Sequence, residues 1–200
     1  MNTVYKTNRL VLCMTDIRNH IELINGSLIN GNLKKTMVVG TITNNYSTYI
    51  YIKNNFHIPV IYLKWDKSKF SREEYDRYLV KTINQFNPKI VLATGWKHIF
   101  TNSFIQSFPN LINIHPALPN DIIGLQSIEK ALHKYKSGEL KETGVMVHKI
   151  IEHLDRGKVL NYVKVPIYDA DDLTSLTERF RNYEQIPLLR VLQKFENTLH

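Results

Sequence analysis

Short apolar runs and amphipathic stretches alternate along this chain. Residues 9–14 read as an apolar strand, and His20, Leu23, Ile24 and Leu28 then recur at helical spacing as far as Gly31. Residues 37–43 alternate and are rich in β-branched types; residues 48–55 read as a helix weakened by tyrosine and isoleucine. Residues 59–63 form a third strand. Ser71, with Glu74 three places on, makes a capping box that opens a helix through Tyr75, Tyr78, Leu79 and Ile83. Residues 89–94 are a fully apolar strand, 101–108 a short helix, and 124–137 a helix after the strand at 113–115. Two more strands, 144–151 and 158–166, flank a loop around Asp155, and Asp172 caps a last helix through Leu176, Phe180, Ile186, Leu189 and Leu192. Alternation of this kind predicts an α/β fold: βαβ units and a mainly parallel sheet with helices on both faces. The chain shows no repeat, linker or low-complexity tract, so residues 1–200 are read as a single domain.

Composition narrows the function classes. A chain of 200 residues, 43% hydrophobic and 22% charged, can bury a real core, and no stretch approaches a membrane span. Its one cysteine, Cys13, lies in an apolar run, which fits a buried small hydrophobe and a reducing, cytoplasmic setting. The formal charge of +8 is scattered over many segments and accompanies no nucleic-acid-binding motif. Steering of a small anionic ligand is the simpler use of that field, with no nucleic acid or membrane partner expected and a homodimer possible. The histidines show no metal-ligand spacing, so no metal is expected.

Candidate chemistry gathers at Asn113-Ile114-His115-Pro116. In a strand, Asn113 and His115 point to the same side, and Pro116 ends the strand. An amide donor beside an imidazole at a strand's carboxyl end suits a reaction that builds an oxyanion and moves a proton. Ligands of open α/β sheets bind at such ends, and the turn Thr94-Gly95-Trp96 lies at another.

The stretch 111–119, reading Leu-Ile-Asn-Ile-His-Pro-Ala-Leu-Pro, resembles the signature of the folate-dependent formyltransferases. Gly144-Val145-Met146-Val147-His148 and Leu154-Asp155-Arg156-Gly157 are similar to further motifs of that family, in the same order. The likeness is greatest to its glycinamide ribonucleotide-formylating branch of fungal and plant type. It implies a Rossmann-like formyltransferase fold and transfer of a formyl group from the co-substrate 10-formyltetrahydrofolate to a primary amine. It places a catalytic trio on Asn113, His115 and Asp155, with Asn113 and a protonated His115 stabilising the oxyanion. Asp155 would keep His115 charged and organise a proton-relaying water. It assigns the folate to Trp96, Lys97, His98, Ile99 and Phe100 together with Ile151 and Leu154, and the acceptor to Arg18, Asn19, Gly124, Arg181 and Glu184. His148 recurs in the motif as structural support.

One departure bears on the acceptor. Where the resemblance leads one to expect a glycine-rich turn holding a phosphate, this chain has Met14-Thr15-Asp16-Ile17-Arg18-Asn19-His20. Asp16 brings negative charge to that turn, and Ile17 resists the positive φ that glycine supplies. On that ground the expected acceptor is an amino sugar carried by a nucleotide, with glycinamide ribonucleotide of purine biosynthesis as the alternative. A folate-binding protein without catalysis is a third reading, opposed by the intact trio.

Overall fold

The structure, a computed structural model, describes residues 7–16 and 19–198. Among them, strands and helices follow as β1 (Asn8–Met14), α1 (Asn19–Ile29), β2 (Thr36–Thr43), α2 (Tyr46–Asn55), β3 (Val60–Tyr62), α3 (Arg72–Asn84), β4 (Ile90–Thr94), α4 (Asn102–Ser107), β5 (Leu111–His115), α5 (Ser127–Lys136), β6 (Thr143–Lys149), β7 (Val159–Val165) and α6 (Leu173–Asn197). The strands hydrogen-bond in the order β3-β2-β1-β4-β5-β6-β7, a mixed and mostly parallel seven-stranded sheet. By packing, the chain falls into two compact units, residues 1–112 with 192–200 and residues 113–191. One boundary lies inside β5 and the other inside α6.

In the first unit β1 pairs in parallel with both β2 and β4, and β2 with β3. Leu10, Val11, Leu12 and Cys13 of β1 are all fully buried, as a strand covered on both faces requires. Burial also pushes the Cys13 thiol far up, which makes it inert as a nucleophile. The capping box forms as expected: Ser71 Oγ accepts from the Glu74 N–H at 3.2 Å, and the Ser71 N–H donates to Glu74 Oε2 at 2.8 Å. The connection through α1 carries the chain from β1 to β2 on one side, whereas α3 returns it to β4 on the other. The carboxyl ends of β1 and β4 therefore flank a topological switch point.

In the second unit β6 and β7 are antiparallel, with a register shift between Val147 and His148. Such irregularities re-aim side chains. The helix expected from residue 124 starts only at Ser127, because Gly124 and Gln126 adopt left-handed φ of +78° and +59°. Asp172 caps α6 as expected, its Oδ1 accepting from the Ser175 N–H at 2.7 Å. Pro187 lies inside α6 and removes one backbone donor, a cost of roughly 3 kcal/mol. Complete burial of Leu176, Phe180 and Leu188, at about 1.5–3 kcal/mol each, outweighs it.

Candidate active site

Four side chains of the second unit, Asn113, His115, His148 and Asp155, form one cluster. Asp155 Oδ2 lies 3.6 Å from His115 Nδ1, and its Oδ1 lies 3.5 Å from His148 Nε2. Asn113 Nδ2 is 3.2 Å from the same His148 nitrogen. Both imidazoles are buried, and β5 brings Asn113 and His115 to this cluster as their period-two spacing predicts. His148 comes from the shifted end of β6.

Backbone groups fix the chemistry of each ring. His115 Nε2 is 2.8 Å from the Ile122 carbonyl, which can only accept, so that nitrogen carries a proton and donates it. His148 Nδ1 likewise donates to the Lys149 carbonyl at 2.8 Å. The remaining nitrogens, His115 Nδ1 and His148 Nε2, are bare when the rings are neutral. With the His148 ring neutral, its Nε2 accepts one N–H of the Asn113 amide and leaves the other for a ligand.

Asp155 is held by the loop between β6 and β7. Its φ of +53° is left-handed, a conformation that aspartate tolerates better than most residues. The Gly124 N–H donates to Asp155 Oδ2 at 2.8 Å. Two residues on, a Cβ at Gly157 would lie 1.7 Å from the Lys149 carbonyl oxygen, so only glycine fits there. Burial opposes the charge on Asp155, but the neighbouring His148 and His115 and the Gly124 N–H together hold its carboxyl below the ordinary range. For His115 the balance goes the other way: burial holds it below the ordinary histidine range despite Asp155 and the Ile122 carbonyl. This direction runs against the expectation that Asp155 keeps His115 charged. Both directions favour an ionised Asp155 beside a neutral imidazole whose Nδ1 can take a proton.

The other expected site residues divide. Phe100 is buried in a ring column, stacked on Trp96 at 5.9 Å and on Phe104 at 4.2 Å. His98 packs edge-on against Trp65, Tyr75 and Trp96, and burial lowers its pKa. Lys97 is tied to Asp16 at 2.6 Å, and Ile99 is exposed. In the second unit Ile151 and Leu154 are exposed, as are Ile123 and Leu125. Gly124, expected to meet the acceptor, gives its N–H to Asp155. Glu184 is buried rather than on a solvated face, whereas Arg181 is exposed. Asn19 opens α1, and Arg18 lies outside the described residues. Sequence reasoning undervalued His148. The available signal was a lone polar side chain ending the apolar run Val145-Met146-Val147, which needs a buried partner. Among the described residues, no helix is long and apolar enough to cross a membrane.

An α/β sheet with a buried Asn-His-His-Asp cluster at a strand end is the framework of a group transferase. The formyl transferase family model matches residues 8–192, and the chain belongs to that family of folate-dependent formyltransferases. It is 27% identical over 197 residues to the phosphoribosylglycinamide formyltransferase of Schizosaccharomyces pombe, covering 92% of this chain and 95% of that one. The Dictyostelium discoideum phosphoribosylglycinamide formyltransferase is 34% identical over 139 residues, 66% of this chain and 68% of its own. Among solved structures, the phosphoribosylglycinamide formyltransferase from Bacillus halodurans superposes with a TM-score of 0.86 at 25% identity, over 96% of this chain and 97% of that one. The comparisons point to this branch and not to amino-sugar N-formyltransferases, so the amino-sugar expectation gives way.

Proposed function

We propose that this protein is a phosphoribosylglycinamide formyltransferase of purine biosynthesis. On this reading it is a single cytoplasmic catalytic domain that uses 10-formyltetrahydrofolate and formylates the primary amine of glycinamide ribonucleotide. The observation that carries the proposal is the Asn113–His148–Asp155–His115 cluster, in a chain that aligns nearly end to end with the fission-yeast enzyme of that name. The physical objection to a phosphorylated acceptor also weakens. Asp16 does not present a bare negative charge, because Lys97 neutralises it.

The mechanism we propose follows from the proton positions. The acceptor amine attacks the formyl carbon, and the carbonyl oxygen becomes an oxyanion. The free N–H of Asn113 donates to that oxygen, a kind of term worth about 2.7–4 kcal/mol per donor. The attacking nitrogen loses one proton to bare Nδ1 of His115, directly or through a water, and the new imidazolium is stabilised by Asp155. As the bond from the formyl carbon to the folate nitrogen breaks, that nitrogen takes the proton from His115. Amine and folate exchange one formyl group and one proton, and the enzyme returns to its starting state. Ile151 and Leu154, exposed apolar side chains at the Asp155 loop, offer an aromatic donor the cover it needs.

The test is formyl transfer by the purified protein from 10-formyltetrahydrofolate to glycinamide ribonucleotide, compared with amino-sugar nucleotides. Turnover of the ribonucleotide alone is expected. Exclusive use of an amino-sugar nucleotide contradicts the proposal.

A further inference from the structure

The first unit holds a charge pair that the proposed chemistry does not use. Because β1 and β4 pair with Met14 opposite Thr94, the turns that follow them begin side by side at the switch point. Asp16 of one turn and Lys97 of the other meet at 2.6 Å, with both side chains about half exposed. Each turn also carries a buried donor with no hydrogen-bond partner among the described residues, Thr15 Oγ1 and Trp96 Nε1. Thr15 is itself more than nine-tenths buried. Buried donors of this kind are normally satisfied, and none of the described residues satisfies these two. Beneath them, His20 at the start of α1 is hydrogen-bonded to Thr94 Oγ1 and ties the helix start to the end of β4.

We propose that Lys97 is a specificity-determining residue for the acceptor: it cancels the charge of Asp16 and admits an anionic, phosphate-bearing amine beside these two turns. This inference rests on the reading of the acceptor as a phosphorylated amine. A lysine ammonium has three donors, and Asp16 occupies one. The others can meet a phosphate oxygen, so one cation stands between two anions. An exposed pair is weak and solvent-screened, which lets Lys97 shift toward a dianion without a large loss. Remove Lys97, and Asp16 alone repels the phosphate. The device replaces neutral backbone donors with a balanced charge pair.

The experiment is a binding cycle with wild type, Lys97→Ala, Asp16→Asn and the double variant. Affinity is read by calorimetry for inorganic phosphate and for glycinamide ribonucleotide, with the KM for folate measured beside it. Lys97→Ala is expected to weaken both phosphate ligands at least tenfold while the folate KM stays within twofold. Adding Asp16→Asn is expected to restore at least fivefold of that loss, which a misfolded variant cannot do. Wild-type affinity in Lys97→Ala, absence of rescue, or a defect confined to folate overturns the inference. Phosphate binding with this pattern but no formylation of the ribonucleotide sinks the functional reading and leaves the charge pair standing. Formylation with an indifferent Lys97→Ala does the reverse.

Discussion

The amide nitrogen of Asn113 stands 3.2 Å from Nε2 of His148, and the Lys149 carbonyl holds the other nitrogen of that ring as a donor. His148 is therefore a positioning residue: it faces the Asn113 amide so that its second N–H is available to the oxyanion. Asn113→Ala is expected to lower kcat by about 10²–10³-fold, the usual loss of one such donor. His148→Ala is expected to lower kcat by less, with both KM values little changed. The double variant should be no slower than Asn113→Ala alone, because the two act as one unit. Additive losses in steady-state kinetics would show that His148 acts elsewhere.

The pH dependence follows from the two opposed directions at His115 and Asp155. His115 must be neutral to take the amine proton, and burial holds its pKa below 6.5. The enzymic acid limb of kcat is expected below the ordinary histidine range. Asp155→Asn removes the charge that favours the imidazolium, so the limb should move to still lower pH while kcat falls by about 10²–10⁴-fold, the range of a lost acid–base function. For stability the sign is the same for both groups. The unfolded chain takes up protons first, so stability is lost as pH falls from about 6.5 for His115 and, further down, from the ordinary aspartate range for Asp155. A limb that stays put in Asp155→Asn contradicts this coupling.

Gly157→Ala tests the loop that aims Asp155. Its methyl group would sit 1.7 Å from the Lys149 carbonyl oxygen, so the backbone must move. Overpacking of this kind costs at least about 1–3 kcal/mol. The displaced groups are the carbonyl that fixes His148 and the segment bearing Asp155, so kcat should drop together with the thermal midpoint. Unchanged kcat in a destabilised variant would mean that the loop's geometry does not matter for turnover.

Asp171 and Arg179 form the main polar clamp of the second unit outside the site. Two parallel hydrogen bonds join them at 2.5 and 2.8 Å, and the guanidinium lies 4.4 Å above the Tyr168 ring. Arg179, together with the Tyr168 N–H and Ser175, holds the buried Asp171 carboxyl well below the usual range. Asp171→Ala is expected to cost about 3 kcal/mol, the low end for breaking a buried pair, since Arg179 keeps some contact with water. Denaturant unfolding measures it. The clamp's contribution should be fully present at neutral pH and fade only in strong acid, so a loss between pH 7 and 5 would contradict the assignment.

Much of the fold was legible because its signals are local. The Ser71–Glu74 capping box, the Asp172 cap and the apolar β1 run each depend on a few neighbouring residues, and each forms as expected. The start of α5 was not legible: nothing in the types Gly124-Leu125-Gln126 announces that Gln126 turns left-handed. At the site, period two placed Asn113 and His115 correctly, and the family resemblance brought in Asp155. The protonation state of His115 was beyond the sequence, since it depends on burial and on the Ile122 carbonyl, neither of which spacing reveals. The acceptor was misjudged for a related reason. Asp16 looked like an uncompensated charge, because Lys97 is 81 residues away along the chain.

The most direct measurement is a single-turnover assay of the purified protein with 10-formyltetrahydrofolate and glycinamide ribonucleotide, run beside His115→Ala. We expect rapid appearance of the formylated ribonucleotide with wild type, and loss of most of that rate in the variant with folate still bound. Formyl transfer at the wild-type rate without the imidazole, or none to the ribonucleotide from either protein, would contradict the account.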